Sequence, residues 1–383
     1  MRIAAIHERA VPVKSAMRNA AFDFSEMTTS IVAVVLEGAR DTVGYAFNST
    51  GRYACGAAMR ERFIPRVLAT PPDELLDDSG LIDPARVAAR MALREKPGGD
   101  AERSVPIGTI EVAVWDALAK ALDRPLWHLL AERFGGADRA AIPVYVGGGW
   151  YQPQDDLQAL QDELRRHLDA GYTHMKIKVG GLPVADDCRR IEAVLAILGD
   201  PARLAVDANA ALRPDRASAY AERLAPYALR WFEEPCAPHD FATFARLAQE
   251  YAPPMAAGEN LFCQADVENL FEFGGFRPDR DILQVDPPQA YGIAAYADMV
   301  AAVEARGGSR ARIFPHGGNM MSFAVTAGLG LGGCEAYPGV FGAFGGYADD
   351  MELSDGSLSL PDSPGIGFER QPALFALMQE LAA

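Results

Sequence analysis

RLAVDAN at 203–209, RWFEEP at 230–235 and PMAAGEN at 254–260 are three short apolar runs that each end on an acid. The acids are Asp207, Glu233 and Glu259, and their spacing is constant: 233 − 207 = 26 and 259 − 233 = 26. A strand, a helix and their two loops use about that many residues when a (β/α)8 barrel of roughly 250 residues is divided by eight. The spacing predicts neighbouring parallel strands that carry one carboxylate each at the same height. Three carboxylates at one barrel mouth repel each other unless a cation lies between them. Oxygen-only donors favour a hard divalent ion, Mg²⁺ first and one per chain.

The alternation of strand-like runs and Ala/Leu/Arg-rich helices extends on both sides. Strands are expected at 142–148, 174–180, 203–209, 230–235, 254–260, 281–287, 311–317 and, weakly because of Gly332 and Gly333, at 332–337. The first third reads as α+β. MTTSIVAVVLEG (27–38) is β-rich, GYAFNSTGRYACG (44–56) is turn-rich, and helical patterns follow, the longest at 108–133 with a break at Asp123 and Pro125. The expected architecture is α/β: a (β/α)7β TIM-like barrel over 126–339. An α+β capping domain over 1–125 is completed by the Gly/Pro-rich tail, 340–383.

Composition sets limits. The chain has 383 residues, 49% hydrophobic and 23% charged, which suits a sizeable core. Its formal charge of −16 disfavours nucleic acid and anionic membranes as partners. No run of about 18 apolar residues predicts a membrane span, and the first residues lack the pattern of a signal peptide. Five cysteines without a CxxC pair read as reduced thiols of a cytoplasmic protein.

In HMKIKVG, His174, Lys176 and Lys178 share one strand face, while Met175, Ile177 and Val179 share the other. If the apolar face packs on helices, the lysines point into the barrel; the alternative is a strand whose lysines reach solvent. Mutual repulsion and a nearby cation would lower a lysine pKa, so a neutral Lys178 could take a proton from carbon. Lys176, set deeper, would stay charged and hold a substrate carboxylate. Asp286 and His316 end the sixth and seventh runs, and an Asp–His pair there would raise the imidazole pKa. Asp286 could also be an ordinary turn residue before Pro287. Glu335 ends the eighth run, either exchanging a hydrogen bond with substrate or as a surface carboxylate. The alternation places Glu234 on the opposite face from Glu233. Together these groups suit removal of a weakly acidic proton beside a carboxylate, with the cation stabilising the resulting charge.

KIK, DAN, EEP, GEN, the Asp286–His316 pair and Glu335, preceded by AVWDALAKALDRPLWHLL, resemble the mandelate racemase subgroup of the enolase superfamily in order and spacing. RNAAFDFSEMTTS, REKPGGDAERS and GLGLGGCEAYP are similar to the D-tartrate dehydratases within it. The resemblance implies Lys178 and His316 as the acid/base pair, and Asn19, Lys96, Arg52 and Tyr53 as cap contacts to substrate. Departures fall at Asp100, Ala101, Pro235, Asn319 and Met320, and they bear on substrate choice. The implied activity is dehydration of a hydroxydiacid or acid sugar, D-tartrate to oxaloacetate first, in a homo-oligomer. A racemase or epimerase using the same residues, or a non-catalytic metal-binding barrel, are the alternatives.

Overall fold

MTTSIVAVVLEG forms the middle of a three-stranded antiparallel sheet. Thr28–Glu37 pairs with Arg2–Pro12 on one side and Thr42–Phe47 on the other. The computed structural model describes residues 1–38, 42–136, 139–152 and 156–382. Residues 44–47, expected in a turn, are strand. The glycine there serves packing, not a turn: a Cβ on Gly44 would lie 2.1 Å from the Ala113 carbonyl oxygen. Gly44 thus lets the helix Asp100–Ala121 press against the sheet.

That helix ties the cap to the rest of the chain through two buried acids. Asp116 accepts from the backbone N–H of Tyr45 at 2.8 Å and of Ile366 at 2.7 Å, and pairs with Lys120 at 2.6 Å. Glu111 accepts from Trp115 Nε1 at 2.8 Å and from the N–H groups of Ile293 and Ala294 at 2.8 and 3.0 Å. It therefore caps the barrel helix Ile293–Ala305 from outside that helix. Burial pushes the Glu111 carboxyl up to about 7. Glu111→Ala would orphan three buried donors. We expect a loss of about 3–5 kcal/mol in chemical denaturation, and a smaller loss for Glu111→Gln.

The barrel strands are Ala141–Gly148, Met175–Lys178, Leu204–Asp207, Phe232–Glu233, Met255–Ala257 and Ile282–Leu283, paired in parallel in that order. The eighth, Cys334–Ala336, pairs back onto the first and closes the ring. The expected seventh strand shrinks to a single bridge, Leu283 to Ile313. A 3₁₀ turn at Arg310–Arg312 precedes it, and Pro315 offers no N–H to extend the ladder. The tail does more than return to the cap. Its helix Pro372–Ala382 packs near the cap sheet, where the Phe375 ring meets Tyr45 edge-on. Before that, Ser357–Ser359 pairs antiparallel with the first barrel strand. All five cysteines are free thiols. Among the described residues, no helix is long and apolar enough to cross a membrane.

Candidate active site and metal centre

The C-terminal ends of the barrel strands gather the acids. Asp207, Glu233 and Glu259 each offer an oxygen, and the three atoms lie within 4.8 Å of one another. Equal spacing in sequence does not mean equal height. Asp207 stands opposite Glu233 in the sheet register, but Glu233 stands opposite Ala256, three residues before Glu259. Glu259 therefore reaches in from the loop. Gly258, at φ +138°, makes the bend, and a Cβ there would meet the backbone nitrogens of Gln284 and Val285 at 2.7 Å.

Both lysines point inward and are buried. Lys176 Nζ lies 2.6 Å from Glu233, 2.6 Å from Glu335 and 3.4 Å from Asp207. Burial works against its charge, yet Glu233 and Glu335 hold its pKa well above the usual value. This agrees with the expectation that Lys176 stays charged. Lys178 Nζ lies 2.6 Å from Asp207 Oδ2 and 4.8 Å from the centre of the Trp150 ring. Burial raises Asp207, but Lys178 and Lys176 outweigh it and hold the carboxyl near 2. His174 lies just outside the strand, hydrogen-bonded to Thr173 Oγ1 at 2.9 Å.

His316 Nδ1 is 2.9 Å from Asp286 Oδ2, while Nε2 lies 3.4 Å from Glu259 and 3.8 Å from Glu335. Burial opposes the imidazolium, but Glu259, the Asp286 bond and Glu335 raise its pKa to about 9. A cation on Glu259 would cancel part of that support, leaving Asp286 as the main one. Activity that needs the charged imidazole should be lost as pH rises through this pKa. Asp286→Asn should shift that alkaline limb of kcat/KM to lower pH, and a pH–rate profile checks it.

Several neighbours were not singled out from sequence. Glu233 Oε2 accepts from Trp231 Nε1 at 2.9 Å and Gln284 Nε2 at 2.8 Å. Asn209 donates from its backbone to Asp207 Oδ1 at 2.8 Å, and Tyr337 and Trp150 line the cavity. Strand alternation could have found Gln284 and Tyr337, each two residues from an inward acid. Glu234 does not face solvent. It is buried at φ +41°, bonded to Asn260 at 2.6 Å, and burial together with Glu259 and Asp207 raises its pKa well above the usual value.

The cavity between cap and mouth encloses about 310 Å³ and is lined by Lys178, His316, Glu259, Asn209 and, from the cap, Asn19 and Thr50 among others. Lys96, Arg52 and Tyr53 are not in its wall. Arg52 is engaged elsewhere, bonded to Asn260, donating to Gln289 at 3.3 Å and stacked on Phe262. Tyr53 is 58% exposed. Asp100 accepts from Tyr291 and Arg103 at 2.8 Å each.

The donor set fits a hard cation. Six carboxylates (Asp207, Glu233, Glu234, Glu259, Asp286 and Glu335) crowd against four cationic groups, Lys176, Lys178, His316 and Arg52. Asn209 Oδ1 and Glu234 Oε2 are buried acceptors without a hydrogen-bond donor. Burial, against Lys176, pushes Glu233 up to about 7, so charge there is short of compensation.

A family model described as enolase C-terminal domain-like matches residues 159–374. A 3,6-anhydro-alpha-L-galactonate cycloisomerase of Streptomyces coelicolor is 33% identical over 270 residues, 69% of this chain and 70% of that protein. Arabinonate dehydratase of Saccharolobus solfataricus is 26% identical over 363 residues, 92% of this chain and 91% of its own. Among solved structures, a racemase from Streptomyces coelicolor with bound magnesium superimposes with a TM-score of 0.77 at 23% identity, covering 98% of both chains.

Proposed function

The chain belongs to the enolase superfamily, in its mandelate racemase/muconate lactonizing subgroup, and from that premise we propose that it is a Mg²⁺-dependent dehydratase of acid sugars and hydroxydiacids, with D-tartrate as substrate and oxaloacetate as product. The observation that carries this reading is that Lys178 and His316, from the second and seventh barrel positions, line one small cavity beside the acid triad.

Asp207, Glu233 and Glu259 would hold the ion. Bound there, Mg²⁺ supplies positive charge next to the substrate carboxylate, where charge grows as the α-proton leaves. Lys176, kept charged by Glu233 and Glu335, lies behind the cavity wall and holds those two carboxylates in place. Lys178 Nζ accepts the α-proton. His316, held charged by Asp286, gives its proton to the departing β-hydroxyl, which leaves as water. The enol so formed takes a proton at carbon, gives up its hydroxyl proton and becomes the 2-keto acid. The cap closes the cavity with Phe22 and Phe24 beside Trp150, which supports a short substrate and keeps water out.

One observation favours a second reading of the substrate. Among the described residues, the cap supplies no lysine or arginine to the cavity wall, and the nearby Arg52 is already bonded to Asn260 and Gln289. A short acid sugar with a single carboxylate and neutral distal hydroxyls suits that wall. The test is to incubate the Mg²⁺-loaded enzyme with D-, L- and meso-tartrate and with short aldonates, and to assay 2-keto acid and product mass. Keto acid from D-tartrate alone supports the first reading, and keto acid from aldonates alone the second. A product of unchanged mass identifies an epimerase and defeats both.

A further inference from the structure

The opposite end of the barrel is built for a ligand of its own. An open groove lies at the N-terminal ends of the strands, and its walls include Trp231, Phe314, Ile282, Arg230 and Arg312. Trp231, Phe314 and Ile282 belong to a separate apolar cluster that fills the barrel floor. Arg230 lies across this floor, its guanidinium carbon 5.0 Å from the Trp231 ring centre and 5.6 Å from that of Phe314.

Stacking uses the face of a guanidinium and leaves its N–H edge free. Here that edge is unused. Arg230 Nε is buried and has no hydrogen-bond partner, and the guanidinium pairs with no carboxylate among the described residues. Leaving such a donor unmatched is costly. Its neighbours repeat the pattern. Arg312 donates to the Arg280 carbonyl at 2.8 Å, and Arg203 to those of Thr173 and Leu198 at 2.6 and 3.1 Å, so neither is neutralised by an acid. Burial and the charges of Arg230 and Arg203 push the nearby His174 down to about 4, with Asp200 opposing. In a chain of net charge −16, a groove with two arginines in its wall, neither paired to an acid among the described residues, is out of character.

We propose that this groove is a second binding site, for an organic carboxylate with a small apolar body. The carboxylate meets the guanidinium of Arg230, with Arg312 beside it, and the body lies along the groove wall at Pro254 and Ala311. The site is independent of what is turned over at the mouth.

Benzoate is the probe, titrated into the Mg²⁺-loaded enzyme by calorimetry. Wild type and Lys178→Ala should bind it alike, while Arg230→Met should weaken binding about ten- to a hundredfold, the range for a lost charged hydrogen bond. Arg312→Met should weaken it too, which preserves the test if Arg230→Met folds poorly. No binding to wild type at tens of millimolar would overturn the proposal. So would wild-type affinity in both arginine variants, or affinity lost only in Lys178→Ala, which places benzoate in the active site.

Discussion

Replacing Lys178 with alanine should lower turnover about a thousand- to ten-thousandfold and stop exchange of the substrate α-proton in D₂O. The side chain is only 3% exposed and its Nζ sits at the cavity wall, 2.6 Å from Asp207. No other amine is placed there, because Lys176 is engaged by Glu233 and Glu335. A second measurement separates this role from a structural one. The Lys178 amine competes with any cation for Asp207 Oδ2, which is also reached by Lys176 at 3.4 Å. Removing it should leave divalent-ion affinity equal or tighter while exchange disappears. Proton NMR in D₂O and calorimetry with Mg²⁺ read the two effects apart. Exchange that survives the substitution would remove Lys178 as the base, and a collapse of metal affinity would make its part structural.

What the sequence revealed, and what it hid, follows from the range of the interactions involved. The barrel was readable because each unit repeats the same local chemistry: an apolar run, a turn, a helix. The inward lysines were readable because alternation along Met175–Lys178 is a property of the strand itself. The seventh strand was overestimated because ARIF has strand character, while the proline at 315 that ends the ladder acts on the next residues. Residues 44–47 were misplaced because glycine at 44 has the composition of a turn but answers to a helix some seventy residues away. The equal height of the triad failed for a similar reason, since register depends on pairing and the count of residues does not. Cap contacts were the least readable. Arg52 reaches Asn260 and Gln289, 208 and 237 residues further on, and nothing local in STGRYACG says that its guanidinium is already taken.

Replacing His316 with asparagine should separate the two halves of the reaction. The imidazole turns Nδ1 to Asp286 and leaves Nε2 as the nitrogen facing Glu259 and Glu335 at the mouth. Asparagine keeps a polar group of similar reach but has no acidic proton to give. If Lys178 removes the α-proton before the β-hydroxyl departs, exchange of that proton with D₂O should continue in the variant. Release of 2-keto acid should meanwhile fall about a hundred- to ten-thousandfold. If proton removal and departure share one step, both signals should fall together, because the enol never returns to substrate. Either result keeps His316 as the proton donor and fixes the order of events. Keto acid formed at the wild-type rate would transfer the donor role elsewhere. Glu234, whose pKa is raised well above the usual value by burial and its acidic neighbours, is the next carboxyl group to test.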